Sequence, residues 1–208
     1  MKESKNSPGK IKRIFDIVFA LFALILLLPI FIIIIIALFL VDDRPIFFTQ
    51  TRPGKDGIPF QVIKFRTMKE SRTADGLLHP DKERITRFGN FLRKASLDEL
   101  PELINVIKGE MSIVGPRPLL MQYLERYSKE QARRNEVLPG ITGWAQVHGR
   151  NAISWEEKFN LDVWYVDHWS FWLDIRIIII TIWKVIKKEG VSQQGQTTME
   201  EFMGNPKK

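Results

Sequence analysis

Between Arg93 and Pro118 the chain reads RKASLDELPELINVIKGEMSIVGPRP. Adjacent carboxylates, Asp98 and Glu99, are followed by an arginine, Arg117, with proline on both sides. Neighbouring acids suit a divalent cation or acyl-phosphate chemistry, and a rigidly presented guanidinium suits phosphate. Pro118 confines Arg117 to extended geometry and Pro116 stiffens the approach. A surface turn carrying a stray arginine, or a plain ion pair, would read the same way. Ser96 to Glu99 also matches the S-x-x-E capping box, so the acids could merely start a helix. Pro101 weighs against this, because with Ser96 as cap its ring would oppose the Leu97 carbonyl. Proline prefers the first helical position. That puts Asp98 and Glu99 on the turn before the main helix, where a positive dipole end keeps acids ionised and lowers their pKa. An ionised aspartate there can serve as nucleophile or metal ligand. Arg93 and Arg150 are further phosphate-binding candidates.

Composition narrows the setting. The chain has 208 residues and 24.3 kDa, room for one compact domain plus an anchor. It has no cysteine, which excludes disulfides and thiolate zinc sites. A net charge of +7 and a pI of about 9.6 favour acidic partners such as nucleic acid, nucleotides or anionic lipid. Lys12-Arg13 and Lys187-Lys188 abut apolar runs, which tips the choice towards lipid headgroups over a merely solvated basic face. P-loop, Rossmann and nucleophile-elbow patterns do not occur, and His79, His148 and His168 lack metal-ligand spacing.

The residues that must position this chemistry begin with an anchor. Ile14 to Val41 is apolar apart from Asp16. As a straight helix it would measure roughly 42 Å, more than the ~30 Å hydrocarbon core requires. Hydropathy alone favours a simple spanning helix. Pro29 sits mid-run and opposes the Ile25 carbonyl, and a kink there would let the segment enter and leave one leaflet as a re-entrant hairpin. Lys and Arg are nearly balanced on the two sides of the run, so the positive-inside rule does not pull its ends apart.

Further along, Pro45 to Met68 reads as a β-hairpin turning at Pro53 to Gly57. Arg72 to Arg84 is polar and reads as loop. Leu100, Leu103, Ile104, Ile107 and Met111 repeat at helical spacing. Tyr123 to Asn135 predicts a charged, exposed helix, and Pro139 to Gly149 a glycine-punctuated loop with a short strand. Phe171 to Lys188 predicts a helix, either lying in the membrane interface through its tryptophans and lysines or buried in the core. The tail after Gly190 is polar.

With these segments quoted, the chain resembles the bacterial sugar transferases, the small monotopic polyprenol-phosphate phosphoglycosyl transferases. The matching stretches are KRIFDIVFALFALILLLPI (12–30), PIFFTQTRPGKDGIPFQVIKFRTM (45–68), SLDELPELINVIKGEMSIVGPRPLL (96–120) and PGITGWAQVHGRNAISWEEKF (139–159). The spacing of Asp162, Tyr165, Ser170 and Asp174 and the tail VSQQGQTTMEEF match too, the tail resembling the form that initiates bacterial protein N-glycosylation.

The resemblance implies an α+β, mostly helical fold: a re-entrant membrane helix hairpin (1–41), a cytosolic catalytic domain with a small β-hairpin and interfacial amphipathic helices (42–190), and a polar tail (191–208). It implies transfer of a sugar 1-phosphate from a UDP-sugar, by this likeness an N-acetylated amino sugar, to undecaprenyl phosphate. UMP is released, in the first membrane step of glycoconjugate synthesis. It assigns Asp98 as nucleophile and Mg²⁺ ligand, and Glu99 a catalytic role as metal partner or base for the acceptor phosphate. Lys64, Arg93, Arg117 and Arg150 become the phosphate-binding residues. Inner-membrane lipid at the cytoplasmic face is the expected partner and a homodimer a candidate assembly; nucleic acid is not expected. One departure is visible: the family's helix break reads Ser-Pro, and here it is Leu28-Pro29, without the hydroxyl that helps bend a helix. A membrane-anchored scaffold and a membrane-tethered nucleic-acid binder are the alternatives. The intact acids and Arg117 weigh against the first, and the lack of reader motifs against the second.

Overall fold

The structure, a computed structural model, describes residues 9–41, 45–73, 75–149, 153–187 and 201–204. Arg150 and most of the 191–208 tail lie outside the described residues. What is described is mostly helical, with two small two-stranded sheets.

The leucine- and isoleucine-rich segment forms one helix, α1 (Lys10–Val41), long and apolar enough to cross a membrane. Pro29 lies within it without ending the element, so the expected helix break is not present as an interruption. Lys12, Asp16, Ala20, Ile34 and Leu38 are its buried residues, and the 3.6-residue repeat brings them to one face. The first half packs Phe15, Phe19 and Ala20 against Val106, Met111, Ile113, Val114 and Ile177. The second half packs Phe31, Ile34 and Leu38 against Phe65, Phe88 and Leu92. Both ends of the apolar helix therefore rest on the same globular unit, while Leu21, Phe22, Ile25, Leu26 and Leu28 between them are exposed.

The expected hairpin is present as β1 (Phe47–Pro53) and β2 (Pro59–Phe65), antiparallel, from Phe47 opposite Phe65 to Pro53 opposite Pro59. Between them Lys55–Gly57 makes a 3₁₀ turn in which Gly57 has φ 75°, which glycine adopts at no steric cost. The polar stretch that follows carries only a short bridge, Arg72 with Leu78, and one turn of helix, α2 (Asp81–Arg84). Next comes α3 (Arg87–Lys94), capped by the Thr86 hydroxyl, which accepts from the Gly89 amide at 2.8 Å.

The periodic apolar run becomes α4 (Glu102–Lys108), wedged between β2 and α1. Asn105 joins it to the outer edge of β2, accepting from the Ile63 amide (3.1 Å) and donating to the Gln61 carbonyl (2.7 Å). At its other end Arg13 of α1 donates to the Val106 and Ile107 carbonyls (2.5 and 2.7 Å), satisfying acceptors that a helix C-terminus leaves open. β3 (Ser112–Val114) then pairs in parallel with β4 (Gly140–Thr142). Gly115 and Gly140 permit that approach: a Cβ on Gly115 would lie 2.3 Å from the Leu138 carbonyl oxygen.

The expected exposed helix over 123–135 is instead three short pieces. A 3₁₀ turn at Met121–Arg126 is followed by α5 (Lys129–Ala132) and a 3₁₀ turn at Arg133–Glu136, with Tyr123 and Arg134 buried. The chain closes with α6 (Trp144–His148), α7 (Trp155–His168) and α8 (Phe171–Lys187). The expected helix α8 is buried on one side only. Asp174, Ile177 and Ile178 are buried, while Trp172, Ile179, Ile182, Trp183 and Ile186 face outwards.

A buried polar cluster fastens α1 to α8. Lys12 Nζ lies 2.6 Å from Asp174 Oδ2 and 3.9 Å from Asp16, and Asp16 accepts the Ile113 amide at 3.1 Å. Asp174 also meets the Tyr165 hydroxyl (2.7 Å) and the Trp169 indole N–H (3.1 Å). Breaking one side of a buried pair strands a charge. Lys12→Met should therefore destabilise the chain by about 3 kcal/mol, and Lys12→Met with Asp174→Leu by less than that. Thermal unfolding of the detergent-solubilised variants reads both; equal or additive losses would count against the pairing.

Candidate active site

The turn between α3 and α4 is what presents the two acids. Ser96 adopts φ 56° and its hydroxyl caps nothing, so the capping box does not form. Leu97–Glu99 makes a 3₁₀ turn, and Pro101 stands just before α4 in helical geometry, where its missing N–H costs nothing.

Glu99 is gripped from two sides. Lys64, carried by β2, reaches Glu99 Oε1 at 2.8 Å and Glu102 Oε1 at 3.0 Å. Arg117 NH2 donates to Glu99 Oε1, and its NH1 donates to Oε2 at 3.3 Å, a two-pronged contact. Burial works to raise the Glu99 carboxyl, but Arg117 and Lys64 overcome it and hold it well below the usual carboxylate range. Glu102 goes the other way: burial outweighs Lys64 and lifts it to about 7. Lys64 ends above its ordinary value, because Glu99 and Glu102 together outweigh its burial.

Asp98 differs from its neighbour. It is 9% exposed, and among the described residues nothing donates a hydrogen bond to its carboxylate. Burial, reinforced by Glu99, raises its carboxyl above the ordinary value against the pull of Lys64, Arg117 and Arg93. This corrects the expectation of a lowered pKa: desolvation outweighs the helix-end field. Arg93, from the last turn of α3, donates to Thr67 Oγ1 (3.1 Å) and approaches Met68 Sδ (3.3 Å), which ties it to the segment following β2.

Arg117 is held through its backbone as well. The Gly115 amide donates to Thr142 O (2.8 Å), and the Gly140 amide donates to Pro116 O (3.0 Å). Buried Arg134 donates to the Arg117 carbonyl (2.7 Å) and to Asp162 Oδ2 (2.7 and 3.0 Å). The Arg117 side chain nevertheless keeps 42% exposure.

Five of the six predicted site residues thus converge: Asp98, Glu99, Lys64, Arg93 and Arg117. Arg150 lies outside the described residues. Sequence reasoning missed Glu102, Asn105, Arg134 and the cationic neighbour Arg52, whose guanidinium burial and the Arg117 charge push down. Only Asp162 left a signal, as the first member of the D-x-x-Y spacing; its partner Arg134 did not. A separate cavity of about 440 Å³, lined by Trp144, Glu156, Glu157, Asn160 and Trp164 among others, contains none of these residues.

For a cation, the described residues offer no cluster of three or more His, Cys, Asp or Glu. Of the adjacent pair, Asp98 is the acid whose oxygens are unengaged among the described residues, since both oxygens of Glu99 are taken. One carboxylate plus substrate phosphate oxygens is a customary Mg²⁺ environment, and the donor set fits that mode.

Residues 8–188 match the bacterial sugar transferase family, and the chain belongs to it. A Bacillus subtilis (strain 168) protein named uncharacterized sugar transferase EpsL is 53% identical over 94% of this chain and 96% of its own length. The Escherichia coli (strain K12) UDP-glucose:undecaprenyl-phosphate glucose-1-phosphate transferase is 42% identical over 84% of this chain and 40% of its own. The Erwinia amylovora UDP-galactose-lipid carrier transferase is 41% identical over 90% of this chain and 43% of its own. The chain thus spans nearly all of the first relative and about two-fifths of the other two.

Proposed function

We propose that this protein is a phosphoglycosyl transferase that moves a sugar 1-phosphate from a UDP-sugar to undecaprenyl phosphate. The observation that carries this reading is a buried Asp98 carboxylate with no hydrogen-bond donor among the described residues, beside a Glu99 locked by Lys64 and Arg117.

In the proposed mechanism an Asp98 oxygen attacks the β-phosphorus of the donor. The bond from that phosphorus to the bridging oxygen breaks, UMP departs with the electron pair, and an aspartyl phosphosugar remains. A phosphate oxygen of undecaprenyl phosphate then attacks the same phosphorus. The acyl-phosphate bond breaks, the diphosphosugar leaves, and the Asp98 carboxylate is restored. Burial strips Asp98 of the water that would blunt it as a nucleophile. The part-exposed Arg117 side chain, with Lys64 and Arg93, supplies positive charge for the donor's phosphates. Glu99 contributes by fixing Arg117 and Lys64 in place. Mg²⁺, held by Asp98 and substrate phosphates, would add charge neutralisation there.

The membrane reading is re-entrant, with both ends of α1 at the cytoplasmic face of the inner membrane. It is supported by the packing of both halves of the helix on one globular unit, an arrangement a span ending on opposite faces could not keep. The outward Trp172, Ile182, Trp183 and Ile186 of α8 suit an interfacial position, where the lipid acceptor is met. On the donor sugar, the names of relatives bring glucose and galactose, and the resemblance of the tail brings an N-acetylated amino sugar.

UMP release by the solubilised protein, with Mg²⁺ and undecaprenyl phosphate across a panel of UDP-sugars, tests the proposal. Sustained, multiple-turnover release that needs the lipid and selects one sugar is expected, with at most one UMP per chain released in its absence. No release from folded protein with any donor would reject it.

A further inference from the structure

The polar tail after Gly190 carries a single aromatic residue, Phe202. It is 5% exposed, in a box of four rings: Tyr123, Tyr127, Trp155 and Phe159. Its centroid lies 5.0 Å from Phe159 and 5.6–5.7 Å from Trp155 and Tyr123, distances at which aromatic pairs attract. The backbone is pinned as well. The Phe202 amide donates to the Tyr123 hydroxyl (3.2 Å), and Arg126 NH1 donates to the Phe202 carbonyl and to Glu201 Oε1 (2.8 Å). Gln122 Nε2 donates to Glu201 Oε1 at 2.6 Å.

The box stands directly under the phosphate site. Tyr127 and Phe159 are the rings over which the Arg134 guanidinium lies, each at 5.9 Å. Arg134 in turn holds the Arg117 carbonyl at 2.7 Å. Leu119 and Leu120, two and three residues beyond Arg117, pack in the same cluster as Phe202. From Phe202 to the Arg117 backbone there are therefore only two layers, one aromatic and one guanidinium. Interiors are close-packed, so removing the outer wedge frees the inner layer to move.

We infer that the C-terminal segment Glu201–Gly204 belongs to the phosphate site, with Phe202 a positioning residue that fixes Arg117 by closing the aromatic box around Arg134. The inference rests on the transferase reading for its catalytic consequence, but its structural half stands apart from it. Phe202 touches no reacting atom. Its effect reaches the substrate through Arg134 and the Pro116–Leu120 loop.

The test uses the full chain as Phe202→Ala, with Phe202→Leu as the variant that keeps an apolar wedge. Phe202→Ala should lower kcat/KM for the UDP-sugar about tenfold, mostly through KM, since sub-ångström loosening of a positioning group has effects of this order. Phe202→Leu should recover most of the loss. Combined with Arg117→Lys, Phe202→Ala should add little, because both act on one group. Hydrogen exchange over 117–127 should quicken in Phe202→Ala whether or not the protein turns over. Unchanged KM with a lower kcat that tracks the loss of folded protein would overturn the inference, as would effects that multiply with Arg117→Lys. If the native chain is inactive but exchange over 117–127 quickens in Phe202→Ala, the transferase reading fails and the positioning role of Phe202 stands. If turnover of Phe202→Ala is normal and exchange unchanged, the positioning role of Phe202 fails alone.

Discussion

Asp98→Asn is expected to lose at least about 10³-fold in turnover with no change in thermal unfolding larger than about 1 kcal/mol. The substitution is nearly isosteric, and among the described residues no donor relies on the carboxylate it removes. An amide cannot form the acyl phosphate. Glu99 cannot take over, because Arg117 and Lys64 occupy its oxygens. The native protein should also lose rate on acidification at a higher pH than an ordinary aspartate would impose. Burial raises the Asp98 carboxyl, so its protonated, non-nucleophilic form appears earlier as pH falls. Rates of UMP formation between pH 4 and 8 read this limb. Near-native turnover in Asp98→Asn would remove the nucleophile assignment.

Arg117→Lys is expected to cost about 10²-fold in kcat/KM although the charge is kept. The native guanidinium engages both oxygens of Glu99 through its fork, and the proposed mechanism asks the same part-exposed side chain to meet a phosphate. An ammonium has no fork, so it can satisfy Glu99 or the substrate but not both with the same geometry. Steady-state kinetics of the lysine variant, alongside its melting temperature, separate lost chemistry from lost fold. A loss of less than threefold would mean that Arg117 is only a structural partner of Glu99.

How much of this was legible in the sequence depended on whether a signal was local. The hairpin was readable because Phe47 to Phe65 carries strand formers on both sides of a Pro-Gly turn. The approach to α4 was readable because Pro101 denies Ser96 a capping role. The stretch from 123 to 135 misled because its charges imitate an exposed helix. Tyr123 and Arg134 are in fact pulled inwards by Phe202 and Asp162, partners 79 and 28 residues away. Glu102 and Asn105 were invisible for a related reason. A helix covered on both sides, by β2 and by α1, shows no polar face to mark which polar residues are buried. The pKa of Asp98 went astray because a helix-end argument is local, whereas desolvation is a sum over everything folded around the group.

The measurement that bears most directly on the central claim is the intact mass of the purified chain, acid-quenched after incubation with UDP-sugar and Mg²⁺ but no lipid acceptor. A gain of one sugar phosphate, localised to the peptide bearing Asp98, is expected. The gain should be discharged by undecaprenyl phosphate and absent from Asp98→Asn. UMP formed only when both substrates are present together, with no mass gain at any time point, would contradict a covalent aspartyl intermediate.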